Sequence, residues 1–145
     1  MLSSYYRPLT YGRMYGARNI LGMTDHILVV DDDPSIRTML TLVLQAEGYR
    51  VVTASNGVEA LQEILYDSPN VMLLDMQMPV LDGWGVAARL REQQQWIPTV
   101  VMTAANRAAQ WSAEVGADAY LSKPFDIDVL MLVVQRVQKP ASSEP

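Results

Sequence analysis

Three aspartates, Asp31, Asp32 and Asp75, a threonine, Thr103, and a lysine, Lys123, each stand at or just after the end of a short apolar run. Their types narrow the chemistry before any fold is considered. The chain has no cysteine and one histidine, His26. That excludes thiol nucleophiles, cysteine-ligated zinc, and a histidine metal cluster or Ser-His-Asp triad within one copy. What remains is carboxylate chemistry. Two carboxylates about 5 Å apart in an effective dielectric of about 20 repel by roughly 3 kcal/mol, so Asp31, Asp32 and Asp75 kept together and ionised require a cation. Oxygen ligands without nitrogen or sulfur select a hard ion, and Mg2+ held by one or two carboxylates, a carbonyl and water suits that donor set. The matching partner of such a centre is phosphate. Asp75 is then the nucleophile, because a carboxylate oxygen can take a phosphoryl group directly. Mg2+ and Lys123 neutralise the phosphoryl oxygens, and Thr103 donates its hydroxyl to one of them.

Each residue also has a plainer reading. Asp33 is fully explained as a helix cap, Asp31 and Asp32 could be a solvated turn, and threonine suits strands wherever it occurs. Lys123 is harder to dismiss as surface charge, because it is one of only two lysines and is followed by Pro124 and Phe125.

The elements that must position these side chains can be read from the apolar pattern. Ile27 to Val30 is a short, uniformly apolar and largely β-branched run, as a buried strand requires. Asp33 caps a helix opening at Pro34, where a missing N–H costs nothing, and Ile36, Met39, Leu40, Val43 and Leu44 form one stripe ending before Gly48. Further units follow: a strand over Tyr49 to Ala54 and a helix over Gly57 to Tyr66 with Val58, Leu61, Ile64 and Leu65 inward. Asn56 and Glu59 have the spacing of a capping box. Val71 to Leu74 is a strand ending at Asp75, and Asp82 opens a helix carrying Trp84, Ala87, Ala88 and Leu90. Thr99 to Thr103 is the fourth strand, Asn106 to Val115 a helix closed by Gly116, Ala119 to Leu121 the fifth strand, and Asp126 to Gln138 the last helix. Short apolar strands alternating with helices predict a parallel sheet covered on both faces, a three-layer α/β sandwich of five βα units. Open sheets of this kind bind ligands beyond the carboxyl ends of their strands, which is where the five residues lie.

The charges set a boundary near residue 25. Residues 1–24 contain three arginines and no acid, whereas eight basic and sixteen acidic residues follow, for a net charge of -5 overall. The acidic balance argues against direct nucleic-acid binding. The first 24 residues, with four tyrosines and no apolar periodicity, read either as a flexible basic arm or as a misassigned start upstream of Met23. Residues 25–139 form the folded domain and 140–145 a disordered tail. The longest wholly apolar run from Asp25 onward, Val129 to Val134, is far below the span of a membrane, so no membrane insertion is expected. The lack of disulfides is in keeping with a cytoplasmic protein.

The segments VVDDDP at Val29 to Pro34, LLDMQMPVLDGW at Leu73 to Trp84, VMTA at Val101 to Ala104 and GADAYLSKPF at Gly116 to Phe125 resemble, in this order, the receiver domain of two-component response regulators. The resemblance implies a flavodoxin-like strand order 2-1-3-4-5, with Asp75 as phosphoacceptor and as ligand to Mg2+. It implies Asp32 as a direct metal ligand, Asp31 acting mostly through water, and the Gln77 carbonyl completing the protein's share of the coordination. Lys123 would pair with the phosphoryl group and precede a cis bond to Pro124. A sensor histidine kinase or a histidine phosphotransfer protein would supply the phosphoryl group. Thr103 would then move, Tyr120 would turn inward, and a downstream protein would dock near Asn106–Val137. By the same resemblance the chain catalyses only its own phosphorylation and dephosphorylation, with Gln77 and Ala105 beside the site tuning the latter. Only Pro140 to Pro145 follows the domain, which points to signalling by docking or by onward relay of phosphate. Other classes fit less well. A haloacid-dehalogenase-like phosphatase wants an aspartate where Gln77 stands, and a nucleotide or flavin site wants a glycine-rich turn where Asp31-Asp32-Asp33-Pro34 stands. An unphosphorylated receiver-like scaffold has no residue in its favour.

Overall fold

The computed structural model describes residues 25–138; the readings made for residues 1–24 and 140–145 lie outside the described residues. Strands β1 (His26–Val30), β2 (Arg50–Ala54), β3 (Val71–Asp75), β4 (Thr99–Thr103) and β5 (Ala119–Ser122) alternate with helices α1 (Pro34–Ala46), α2 (Gly57–Tyr66), α3 (Gly83–Glu92), α4 (Ala108–Val115) and α5 (Ile127–Gln138). The pairings are parallel and the order is β2-β1-β3-β4-β5, the flavodoxin-like arrangement that the resemblance implied.

The uniformly apolar strands are explained by two cores, one on each face. Alternate residues point to opposite sides of a strand. Leu28, Val30, Met72, Leu74 and Val101 meet α2, α3 and α4 through Ala60, Ile64, Val86, Leu90 and Val115. Ile27, Val29, Val71, Leu73, Val100 and Met102 meet α1 and α5 through Leu40, Leu44, Leu130 and Val134. Met76 and Met102 are wholly buried, as expected of gap-filling residues.

Local signals set the helix starts. Asp33 accepts a hydrogen bond from the Ser35 N–H at 2.9 Å, with Pro34 as the first helical residue. Asn56 accepts from the Glu59 N–H at 2.9 Å. The other half of the expected capping box is shifted by one residue, because the Glu59 carboxylate accepts from the Ser55 N–H and hydroxyl, both at 2.8 Å. Gly116 closes α4 at φ 71°, a backbone region that favours glycine.

Two expectations need correction. On α2, Leu65 is 88% exposed and Val58 41% exposed, whereas Gly57, Ala60 and Ile64 are buried. The cause is Gly57, whose N–H donates to the Leu81 carbonyl at 2.9 Å. A Cβ there would stand 2.5 Å from that same oxygen. This contact presses the 57, 60, 64 face inward and leaves 58 and 65 on the flanks. Helix α4 begins at Ala108 rather than Asn106, and Arg107 at its N-cap makes no side-chain capping bond.

The Gly57 contact makes a prediction about sign. Helix propensity alone favours Gly57→Ala by up to about 1 kcal/mol, but the added methyl collides with backbone. Urea denaturation should show Gly57→Ala destabilised by about 1–3 kcal/mol, while Leu65→Gln changes stability by less than about 0.5 kcal/mol. A stabilised Gly57→Ala would refute the contact.

Candidate functional site

The strand register assembles the site. Val30 pairs with Leu74, so the next residues, Asp31 and Asp75, leave adjacent central strands side by side. Asp75 in turn pairs with Met102 and Thr103 with Ser122, which brings Thr103 and Lys123 to the same end of the sheet. The junction of β1 and β3 is the place where the strand order reverses, the position expected for a ligand site.

The five expected side chains gather here. The Lys123 ammonium donates to Asp31 Oδ2 at 2.7 Å and stands 3.6 Å from Asp75 Oδ1. Asp31 is wholly buried and its remaining polar groups are all engaged. Oδ1 accepts from the Asp33 N–H at 2.9 Å, its N–H donates to the Ala54 carbonyl at 3.1 Å, and its carbonyl accepts from Arg37 Nη1 at 2.7 Å. Asp32 is exposed. One carboxylate oxygen from each of Asp31, Asp32 and Asp75 lies within 4.8 Å of the others. Thr103 is buried; its hydroxyl accepts from the Ala105 N–H at 3.1 Å, and its carbonyl accepts from the Lys123 N–H at 2.8 Å. The Lys123–Pro124 bond is cis, in line with the resemblance.

Crowding shows in the protonation of Asp75. Burial, reinforced by the negative charges of Asp31 and Asp32, raises its carboxyl from the ordinary 3.8 to about 6, against the opposing pull of Lys123 and a bond from the Gln77 N–H. Burial disfavours the Lys123 ammonium, but the hydrogen bond to Asp31 and the charges of Asp75 and Asp31 outweigh it and push the group upward. The pocket thus holds three carboxylates against one near ammonium, all ligand atoms are oxygens, and Asp31, Asp32 and Asp75 have the donor chemistry to hold a hard cation.

The loop after β3 is held by backbone contacts. The Gly83 N–H donates to the Met76 carbonyl at 3.0 Å, and a Cβ at Gly83 would lie 2.9 Å from Met76 Cα and 3.0 Å from the Asp75 carbonyl. Val80 has φ 73° inside a three-residue turn closed by the Leu81 N–H to the Pro79 carbonyl at 2.8 Å, a strained conformation for a β-branched residue. Directly after Gly83, Trp84 donates its indole N–H to Glu114 of α4 at 2.9 Å, and its ring stands edge to face with Trp111 at 4.9 Å. Sequence reasoning did not reach Arg37, Gly83 or the Trp84–Glu114 bond. For Arg37 a signal existed, a cation at a helix N-terminus where the dipole opposes it.

A family model described as the response regulator receiver domain matches residues 27–135. The chain belongs to this family. The alkaline phosphatase synthesis transcriptional regulatory protein PhoP of Bacillus subtilis is 42% identical over 105 residues, 71% of this chain and 44% of that protein. Response regulator MprA of Mycobacterium ulcerans is 42% identical over 111 residues, 75% and 48% respectively. This receiver spans about half the length of the curated relatives it matches. Among solved structures, the Vibrio cholerae chemotaxis protein CheY4 aligns at a TM-score of 0.71 and 36% identity, covering 78% of this chain and 98% of that one. The Thermotoga maritima response regulator TrrA, solved in complex with Mg2+-BeF, aligns at 0.70 and 36%, covering 79% and 99%.

The raised Asp75 carboxyl gives a pH signature in the metal-free receiver. Because the folded state binds this proton more tightly than the unfolded state, its contribution favours folding at low pH and is lost as pH rises from about 4 through about 6. Asp75→Asn removes the loss. Urea denaturation in chelator should find the variant more stable than wild type above pH 7, by at most about 3 kcal/mol, with the difference shrinking toward pH 4. Equal stability across this range would contradict the crowding.

Proposed function

We propose that this receiver accepts a phosphoryl group on Asp75 from the phosphohistidine of a sensor histidine kinase or histidine phosphotransfer protein, and that the modified form switches a downstream partner in the cytoplasm. The observation that carries the reading is the unequal engagement of the two buried carboxylates. Both oxygens of Asp31 are occupied by Lys123 and the Asp33 N–H, whereas Asp75 keeps its Oδ1 at 3.6 Å from the ammonium. Asp31 is therefore a fixed countercharge and Asp75 the carboxylate with lone pairs to give. With its carboxyl at about 6, Asp75 is mostly ionised at neutral pH and competent as a nucleophile.

In the transfer a bond forms between an Asp75 oxygen and phosphorus as the phosphorus–nitrogen bond breaks, and its electron pair stays with the donor imidazole. Lys123 stands where its ammonium can offset charge on the equatorial oxygens. Thr103, hydrogen-bonded through its oxygen to Ala105, retains its own proton to donate to a phosphoryl oxygen. Asp32, exposed beside Asp75, Asp75 itself and the Gln77 carbonyl would hold Mg2+ directly, with buried Asp31 behind them. When bound, Mg2+ supplies the positive charge that lets the carboxylates and a phosphoryl group share the pocket. On this reading the chain turns over only its own acyl phosphate and is not an enzyme toward other substrates. Exposed Tyr120, Ile127, Val129 and Leu132 on β5 and α5 support docking of the downstream partner within Asn106–Val137.

Incubation with acetyl phosphate and Mg2+ should add one phosphoryl mass to the intact chain, lost on treatment with hydroxylamine and absent in chelator. Asp75→Asn should take up none, and Lys123→Met should label at least about tenfold more slowly, as loss of a charge stabilising the transition state requires. Labelling of folded Asp75→Asn at the wild-type level would move the acceptor elsewhere.

A further inference from the structure

Among the described residues, Arg37 is the basic side chain that bonds the main chain of the acidic loop. It lies one turn into α1, its N–H donating to the Asp33 carbonyl at 3.1 Å. Its side chain turns back toward the helix start, and Nη1 donates to the Asp31 carbonyl at 2.7 Å. A cation at a helix N-terminus is opposed by the dipole, so its placement calls for a local reason. The peptide group is planar, and the Asp31 carbonyl belongs to the plane that carries the Asp32 N–H. Fixing that oxygen fixes the direction of the bond from the Asp32 nitrogen to its Cα, from which the side chain departs. Asp31 is already held by Lys123, the Asp33 N–H and β2, but Asp32 is exposed. The plane gripped by Arg37 leads directly into Asp32, whose exposed carboxylate belongs to the 4.8 Å cluster with Asp31 and Asp75.

We propose that Arg37 is a positioning residue for the metal pocket, acting through the Asp31–Asp32 peptide to set the aim of Asp32. This rests on the function proposed above and names a residue that supports it. Two effects of opposite sign make the idea testable. If Arg37 acted only through its charge, removing a cation beside three carboxylates would tighten Mg2+ binding. If it positions Asp32, removal weakens Mg2+ binding despite the more negative pocket.

The test is calorimetric titration of the metal-free 145-residue chain with MgCl2, which needs no phosphorylation. Arg37→Met should weaken the Mg2+ Kd by about tenfold, the size typical of groups that orient metal ligands. Arg37→Lys, which offers a flexible point donor in place of a fixed fork, should weaken it by about threefold. In the metal-free protein, amide exchange at Asp32 and Asp33 should quicken in Arg37→Met while amides of β3 and β4 keep their protection. A folded Arg37→Met that binds Mg2+ as tightly as wild type, or more tightly, overturns the role of Arg37 and leaves the proposed function standing. If Arg37→Met does not fold, an unchanged Kd in Arg37→Lys overturns it. A wild-type chain that takes up no Mg2+ ends the proposed function and this role together.

Discussion

A fully buried carboxylate must have its charge answered and its lone pairs filled, or the chain will not bury it. Asp31 meets that demand with Lys123, 92 positions away along the chain. The ammonium reaches it only after β5 has paired with β4 in the register Thr103 to Ser122 and the Lys123 N–H has met the Thr103 carbonyl. The countercharge for the central strand is thus delivered by the edge strand. The site is complete only when the whole sheet is, and loosening of β5 removes the ammonium from Asp31 and Asp75 together. Building an acidic pocket across a sheet in this way ties its chemistry to the integrity of the fold.

One ammonium does not balance three acids. The excess falls on Asp75, whose carboxyl is raised toward neutrality, and on Asp32, which is left facing water. In the absence of ligand the arrangement opposes folding, and stability of this kind is commonly sacrificed at functional sites. The rest of the molecule compensates with two well-filled cores and with backbone contacts too close to admit a side chain, at Gly57 against Leu81 and at Gly83 against Asp75 and Met76. Those glycines let α2 and α3 start close against the loop that follows β3, where Gly83 packs on the Asp75 carbonyl.

Much of this was legible in the sequence because the signals were local. The apolar runs of β1, β3 and β4, the Asp33-Pro34 helix start and the Gly116 stop each depend on a few adjacent residues, and the structure follows them. The site residues were legible for a different reason: they sit at strand ends, and a parallel sheet collects strand ends at one edge. What could not be read depended on contacts that leave no mark in the residue types. The rotation of α2 is set by Gly57 meeting Leu81, so periodicity alone placed Leu65 inward. The start of α4 lacks a capping side chain, so its boundary carried no mark. Arg37 was marked only as a cation near a helix N-terminus, and its bond to a main-chain oxygen involves no partner side chain that could have named the contact.

Two of the chain's three tryptophans, Trp84 and Trp111, stand edge to face across α3 and α4, and one of them is hydrogen-bonded to Glu114. The first directly follows the glycine packed on the Asp75 carbonyl; the second belongs to a helix whose preceding loop starts at Thr103. The indole pair therefore straddles the loop after β3 and the segment that leaves β4 at Thr103. It gives this receiver a built-in optical gauge, in which any displacement of α4 relative to α3 alters the near-ultraviolet dichroism and emission of the native protein without an attached dye.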